Sequence, residues 1–206
     1  MDPSYPERNP QASASPSDEE LVALAREGRS QGRRDAFEAL VKRYEKPLFN
    51  YVRRMVNDTA EAEDLFQETF LRVYTHLNRF WLTGRFRPWV YRIATNLCKD
   101  CLKRRARRRQ VSLDDPGPEG ESLARRVEAP GANPGNHAQK AETAALLEAA
   151  LEQLSPKHRA VFLMARYDGM RYEEIARALR VPVGTVKSRM NKAVADLLGA
   201  LKDVQE

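Results

Sequence analysis

Proline and glycine are crowded into one stretch of this chain, while long segments on either side carry helical spacing of apolar residues. Residues 112–139, SLDDPGPEGESLARRVEAPGANPGNHAQ, contain four prolines and four glycines without apolar periodicity. Such a composition is typical of a linker. Elsewhere from residue 18 onward breakers are few and strand alternation is absent. The pattern predicts an all-α chain with a disordered tail at 1–17, a helical domain at 18–111, a flexible linker at 112–140 and a second helical domain at 141–206.

Composition excludes several classes of protein. Hydrophobic residues make up 42% of the 206 residues and charged residues 31%, which is enough apolar material for a core. No window approaches the roughly 18 consecutive apolar residues of a membrane span, and the N-terminus lacks the apolar segment of a secretory signal. Two cysteines favour a reducing compartment. We therefore expect a cytoplasmic protein without membrane insertion of its own, and its net charge of +6 permits a polyanionic partner.

The second domain ends in two helices joined by a tight turn. Residues 171–179 predict a short helix, 180–182 a turn, and 183–201 a longer helix with one apolar face. The opposite side of the longer helix carries hydroxyl, amide and basic groups: Thr185, Lys187, Ser188, Arg189, Asn191 and Lys192. These groups suit phosphates and base edges, and the arrangement is typical of a DNA-reading helix-turn-helix. An amphipathic helix with a solvated charged face is the alternative.

Gly184 stands in the first turn of that longer helix. Glycine costs about 1 kcal/mol relative to alanine in a helix interior, so its presence calls for a reason. The free N–H groups at a helix N-terminus favour an anion. Because glycine has no side chain to hold a phosphate away, we predict a phosphate contact at Gly184.

Residues 57–77 predict a helix with segregated faces. Its apolar side is formed by Ala62, Phe66, Phe70, Val73 and Leu77. The opposite side carries Glu61, Asp64 and Glu68, with Leu65 expected half exposed beside them. Ligands of a hard metal converge in three dimensions, which a stripe on one convex helix does not do. A solvated face and a docking surface for a basic partner remain the two alternatives.

Residues 77–109, LNRFWLTGRFRPWVYRIATNLCKDCLKRRARRR, interleave aromatic and basic side chains. Such groups can stack unpaired bases and follow a phosphate backbone. Phe86 is predicted to be core, because it shares an apolar helical face with Val90, Ile93 and Leu97. A different, polar and basic face carries Trp89, Arg92, Asn96, Lys103 and Arg107. Residues 99–109 hold seven basic residues and one acid, which favours nucleic acid over a solvated tail.

Cys98 and Cys101 form a C-x-x-C pair with no second pair to complete a zinc site. Cys101 falls on the apolar face with Leu97, so we expect it in the core. The three histidines do not fall into ligand spacing. The sequence therefore predicts no metal, no cofactor and no catalytic residue.

Three segments together resemble bacterial RNA polymerase sigma factors of the extracytoplasmic-function (ECF) group in the sigma-70 family. Residues 35–74 (DAFEALVKRYEKPLFNYVRRMVNDTAEAEDLFQETFLRVY) resemble the start of sigma domain two, and 86–105 (FRPWVYRIATNLCKDCLKRR) resemble its promoter-melting end. Residues 151–193 (LEQLSPKHRAVFLMARYDGMRYEEIARALRVPVGTVKSRMNKA) resemble sigma domain four. The resemblance implies a protein that binds the clamp and flap surfaces of core RNA polymerase. It would read promoter DNA as duplex at the −35 element and as a single strand at the −10 element.

The resemblance also assigns site residues in three sets. The polymerase-binding set is Glu61, Asp64, Leu65, Gln67, Glu68 and Phe70. The −10 set is Arg79, Phe80, Trp81, Arg85, Trp89, Arg92, Asn96, Lys99 and Lys103. The −35 set is Arg171, Gly184, Thr185, Lys187, Ser188, Arg189, Asn191 and Lys192. Control by an anti-sigma factor is a further implication of the family.

Two other functions stay open on the residues alone. A two-domain regulator with a LuxR-like helix-turn-helix would bind duplex DNA by itself, but would leave the acidic stripe and the 79–109 segment without a role. A nucleic-acid-processing enzyme is supported only by the carboxylates at 58–68, which no nucleophile or convergent metal set accompanies.

Overall fold

The computed structural model describes residues 15–27, 30–78, 85–114 and 137–202. Within these ranges the helices are α1 (Asp18–Glu27), α2 (Ser30–Val56), α3 (Thr59–His76), α4 (Phe86–Asp114), α5 (His137–Gln153), α6 (Pro156–Arg166), α7 (Tyr172–Leu179) and α8 (Val183–Lys202). No strand occurs in the described part of the chain, and the all-α class is confirmed. Of the predicted linker, 112–114 and 137–140 belong to helices, while the rest lies outside the described residues, as do residues 1–14 of the predicted tail.

Local capping explains where two helices of the first domain begin. Ser17 and Glu20 exchange hydrogen bonds: the Ser17 N–H donates to Glu20 Oε2 at 2.7 Å, and the Glu20 N–H donates to Ser17 Oγ at 3.2 Å. The Asp58 side chain accepts from the Glu61 N–H at 2.9 Å, so Asp58 caps α3. Because a capping side chain satisfies an N–H that has no partner within the helix, each helix is fixed at this residue.

The first domain is built from α1 to α4, with a core formed by large apolar side chains. Leu40, Leu48 and Met55 of α2 are fully buried, as are Phe86 and Tyr91 of α4. Because α3 packs against both α2 and α4, two of its sides are covered and only its outer side faces solvent.

The second domain packs α5, α6 and α7 against the long helix α8. Val186, Met190, Ala193 and Leu197 of α8 are buried, as the apolar periodicity predicted. Gly169, between α6 and α7, has φ +60, a left-handed conformation that glycine adopts at little cost. Arg180 ends α7 with φ 53, and this residue turns the chain into α8.

The two domains contact each other directly, α4 against α7 and α2 against α6. Buried apolar residues of both domains belong to one contiguous cluster. Among the helices that the described ranges contain, none has the length and apolar character to cross a bilayer.

Candidate nucleic-acid and protein interfaces

Helices α7 and α8 form a helix-turn-helix in the predicted position. The Val181 N–H donates to Ala176 O at 3.0 Å across the left-handed Arg180, which closes the end of α7. Pro182 precedes α8, and its carbonyl accepts the Thr185 N–H at 2.9 Å. The short turn and the buried Val186 and Met190 hold α8 so that its polar side faces solvent.

The predicted −35 set lies mostly on that solvent-facing side. The exposed members are Arg171, Gly184, Lys187, Ser188, Asn191 and Lys192, while Thr185 and Arg189 are half-buried. We call Lys187, Ser188, Asn191 and Lys192 the reading face of α8. Lys192 Nζ lies 2.8 Å from Asp196 Oδ1, and Ser188 Oγ donates to Thr185 O at 3.0 Å. Because an exposed i,i+4 ion pair contributes only about 0.3–0.5 kcal/mol, Lys192 can leave it for a base at little cost.

Gly184 occupies the second position of α8 and faces open solvent. A Cβ added there would meet no atom within 4 Å. The surroundings of Gly184 are therefore open. Because the Thr185 and Val186 N–H groups already donate to Pro182 O, the N–H groups of Val183 and Gly184 are the ones that an anion would meet in this turn. This geometry suits an incoming phosphate.

The outer side of α3 differs from the predicted polymerase-binding set. Asp64 and Gln67 are exposed and Glu68 is half-exposed, but Leu65 and Phe70 are 7% and 6% exposed and belong to the core. The expectation of a half-exposed Leu65 is wrong, because α3 is packed on two sides. Leu71, which the sequence reading missed, is 61% exposed. It stands seven residues after Asp64, so helical periodicity already puts it on the same face. We call Asp64, Gln67, Glu68 and Leu71 the outer surface of α3.

Glu61 faces α4 instead of the outer surface. Arg105 Nε lies 3.0 Å from Glu61 Oε1, and Arg105 Nη2 lies 3.1 Å from Asp58 Oδ2. Arg105 Nη1 also donates to Val56 O at 2.7 Å. One arginine of the basic run therefore ties α4 to the end of α2 and the start of α3 and does not face nucleic acid.

The members of the predicted −10 set differ in where the structure places them. Arg79, Phe80 and Trp81 lie outside the described residues. Arg85, Asn96 and Lys103 are exposed and Arg92 and Lys99 half-buried. Trp89 is only 7% exposed and packs edge-on against Phe86, with ring centroids 5.9 Å apart. In this form Trp89 cannot stack on a base.

We call Arg92, Asn96, Lys99 and Lys103 the strand face of α4, after the single DNA strand that the resemblance expects it to hold. Burial and the nearby charge of Arg180 lower the pKa of Arg92. Burial, Arg189 and Lys103 lower the pKa of Lys99. Because α4 packs against α7, the strand face lies close to the second domain. Two of its four members, Arg92 and Lys99, are half-buried.

Both cysteines are free and buried. Burial raises the pKa of the Cys98 thiol to about 12. Burial and a hydrogen bond from Cys101 Sγ to Glu61 raise the pKa of Cys101. Because the thiolate is the reactive form, neither sulfur is activated. The described residues include no group of three or more His, Cys, Asp or Glu side chains that could hold a metal ion.

Comparison with known proteins finds the same two parts. Residues 40–108 match the family described as Sigma-70 region 2, and residues 144–197 match Sigma-70, region 4. The ECF RNA polymerase sigma factor SigW of Bacillus subtilis is 30% identical over 174 residues, which cover 84% of this chain and 93% of SigW. The RNA polymerase sigma-H factor of Pseudomonas aeruginosa is 32% identical over 180 residues, covering 85% of this chain and 89% of the relative.

Solved structures give the same answer for the fold. CnrH, solved in complex with the cytosolic domain of CnrY, superposes with a TM-score of 0.64 at 25% identity and covers 92% of this chain and 99% of CnrH. The sigma factor RpoE from Bartonella quintana, in complex with the anti-sigma factor NepR, superposes with a TM-score of 0.62 at 23% identity. That match covers 81% of this chain and 96% of RpoE.

Proposed function

The chain belongs to the ECF group of sigma-70 RNA polymerase sigma factors, and we propose that its three surfaces divide the work of promoter recognition. The outer surface of α3 docks on core RNA polymerase, the strand face of α4 holds the opened −10 strand, and the reading face of α8 reads the −35 duplex. The observation that carries this assignment is the presence of region 2 on α2 to α4 and of region 4 on α5 to α8 in one chain. A LuxR-like regulator is not favoured, because it has no use for region 2.

The mechanism is binding and not bond-making, so no residue is assigned a catalytic role. Opening promoter DNA costs roughly 1.4 kcal/mol of stacking per base-pair step. Stacking a captured base on an aromatic side chain returns roughly 1–3 kcal/mol. Asn96 and Lys103, which are exposed, are suited to hold the strand by its polar groups and phosphates. Phosphate contacts fix the register of the protein on the duplex, and base contacts supply the sequence preference.

For the polymerase contact we propose a mixed surface of carboxylates around one apolar anchor. Asp64 and Glu68 suit a basic partner surface, such as the clamp helices that the family docks on. Leu71 gives the surface an apolar centre, and apolar anchors surrounded by polar groups supply much of the energy of protein interfaces. Glu61 and Phe70 act behind this surface, since Glu61 ties α3 to α4 and Phe70 fills the core. The flap contact of the second domain is proposed from the family alone.

We also propose a cytoplasmic location in bacteria and control by an anti-sigma factor. CnrH was solved with the cytosolic domain of CnrY, and RpoE with the anti-sigma factor NepR. A partner of this kind would hide the outer surface of α3 and compete with core polymerase for it. A pull-down under non-inducing conditions that recovers polymerase subunits alone would count against such a partner.

Run-off transcription with core RNA polymerase on genomic promoter fragments tests the function. The chain is expected to give discrete transcripts that core enzyme alone does not make. The double variant Asp64→Lys/Glu68→Lys should compete poorly for core polymerase while it keeps its helix content. The control is Glu19→Lys/Glu27→Lys, which makes the same change of net charge at exposed positions of α1. Equal competition by both double variants would remove α3 from the polymerase interface.

A further inference from the structure

A cavity of about 540 Å³ lies where the start of α4 approaches the start of α7, and four arginines line it. Arg85 and Arg87 come from the first domain, and Arg171 and Arg177 come from the second. Like charges repel each other, so four guanidiniums around one space are an unfavourable arrangement unless an anion joins them. We call Arg85, Arg87, Arg171 and Arg177 the arginine cluster.

The positive charge of the arginine cluster is poorly compensated by the protein. Within the described ranges, none of its members forms a salt bridge. Arg177 donates from Nε to the main-chain carbonyl of Glu173 at 3.2 Å, and Arg87 donates to the main-chain carbonyl of Asp168. A carbonyl accepts a hydrogen bond but carries no net charge. Arg87 lies near enough to the Asp168 carboxylate to lower its pKa, so Arg87 is the most engaged of the four.

Two carboxylates share the lining and limit which ligands fit. The Glu174 carboxylate accepts the Arg171 N–H at 3.0 Å, so it is bonded to the main chain and not to a guanidinium. Glu173 is exposed. Four arginines against two glutamates leave two positive charges in excess around the cavity. An anion with two or more negative charges balances this excess, whereas a neutral or cationic ligand does not.

The size of the cavity and the kind of cation narrow the ligand further. Ligand sites in proteins usually have volumes of about 300–1,000 Å³, so this cavity can hold a molecule much larger than one phosphate ion. Guanidinium groups match phosphate oxygens with two parallel hydrogen bonds. Cations placed on both sides of the cavity suit a ligand that carries more than one phosphate group.

We propose that this cavity is a binding site for a small polyphosphate of the size of a nucleoside diphosphate or triphosphate. The ligand is held between the two arginines of the first domain and the two of the second. A DNA backbone carries the same chemical groups, and Arg85 and Arg171 belong to the predicted DNA-binding sets. Arg87 and Arg177 belong to neither set, and Arg87 is half-buried, which favours a ligand that enters the cavity. The site does not rest on the proposed function.

Isothermal titration calorimetry of the full-length chain with inorganic triphosphate tests the site. One triphosphate should bind per chain. The double variant Arg85→Gln/Arg177→Gln removes one guanidinium on each side and should weaken binding about 10-fold to 100-fold, because hydrogen bonds to charged groups are lost. The control is Arg34→Gln/Lys157→Gln, which removes the same charge from exposed positions of the two domains. Equal affinities for the two double variants would overturn the site.

A variant that tightens binding guards against loss of binding through misfolding. Glu173→Gln removes one of the two carboxylates that oppose the ligand, and should strengthen triphosphate binding by up to about fivefold. Glu19→Gln makes the same change of net charge on α1, at an exposed position, and should leave the affinity as it is in the parent chain. Equal strengthening by both variants would show attraction by overall charge and would overturn the site.

Binding of duplex DNA separates the two sources of phosphate. Arg177→Gln should weaken binding of inorganic triphosphate and should bind duplex DNA as tightly as Lys157→Gln does, as measured by fluorescence anisotropy. If Arg177→Gln weakens both by the same factor, Arg177 contacts the DNA backbone and the polyphosphate site is wrong. A chain that directs run-off transcription but binds no triphosphate keeps the proposed function and loses this site. A chain that binds triphosphate but gives no transcripts keeps the site and loses the proposed function.

Discussion

A substitution at Gly184 distinguishes effects on DNA binding from effects on folding. A methyl group added there should weaken DNA binding and should not lower the free energy of unfolding. The Cα–Cβ bond in a helix tilts toward the N-terminus, so the methyl of Gly184→Ala would project into the space in front of α8. That space is empty in the free chain, where the added Cβ meets no atom within 4 Å. The substitution should therefore not strain the fold.

The expected magnitudes follow from the two environments. Alanine replaces glycine in a helix interior with a gain of up to about 1 kcal/mol, and the gain is smaller in the first turn. A hydrogen bond to a charged group contributes about 1.5–3 kcal/mol. If the methyl keeps a phosphate away from the first-turn N–H groups, the affinity for duplex DNA should fall about 10-fold to 100-fold. The loss should be the same for every sequence, because phosphates carry no sequence information.

Gly199→Ala is the matched control. Gly199 lies on the same helix, is exposed, and would likewise place its methyl in open space. Urea unfolding should show both variants at least as stable as the parent chain, and anisotropy with a duplex at fixed salt should show weaker binding for Gly184→Ala alone. Equal affinities for the two variants would refute the phosphate contact.

Two further predictions concern base readout and pH. Lys192→Ala should cost roughly 1–3 kcal/mol of binding free energy on a matched −35 duplex and less on a mismatched one, whereas Lys187→Ala should weaken binding to both duplexes alike. Equal losses for Lys192→Ala on both duplexes would show that Lys192 does not read the base sequence. Burial raises the pKa of Asp168 to about 6, although the hydrogen bond from the Tyr91 hydroxyl and the charge of Arg87 lower it by favouring the carboxylate. The folded pKa lies above the unfolded value of 3.8, so this group stabilises the fold in acid, and its contribution is lost as the pH rises through about 6. The Asp168→Asn side chain cannot ionise, so the variant should be more stable than the parent above pH ~6, by at most about 3 kcal/mol, and the advantage should vanish near pH ~4. Urea unfolding at the two pH values measures this. A variant that is equally destabilised at both would contradict the prediction.

The features that could be predicted from the sequence are those that one helix determines by itself. The apolar face of α8 follows from a period of 3.6 residues, and its start follows from Pro182 and the turn before it. The same reasoning predicted the burial of Phe86 and Cys101, and both are buried. These patterns depend on neighbours three or four residues away, so they need no knowledge of tertiary packing.

The features that could not be predicted depend on what packs against a helix from a distance. Leu65 stands beside the acidic stripe on a helical wheel, but it is buried because α3 packs against both α2 and α4, and a wheel drawn for one helix contains neither. The basic run at 99–109 predicts that Arg105 contacts nucleic acid, yet its partners Asp58 and Glu61 lie 47 and 44 residues earlier in the chain. Periodicity predicts that Phe70 lies in the core, whereas the resemblance places it on the polymerase-binding surface. Periodicity predicted its burial correctly, because periodicity reports which side of the helix a residue occupies. A resemblance matches residues by their order in the sequence and does not report which way a side chain faces.

Charge illustrates the same limit on a larger scale. The basic residues of α4 and of the second domain predict two separate DNA surfaces, and like charges alone would keep such surfaces apart. The structure brings Lys99 near Arg189 nonetheless, because Arg159 buries its guanidinium against a carbonyl 104 residues away and the apolar cluster continues across the domain boundary. Burial of one arginine and the continuous apolar cluster therefore outweigh the repulsion between the two basic surfaces, and neither contribution can be read from the order of charged residues along the chain.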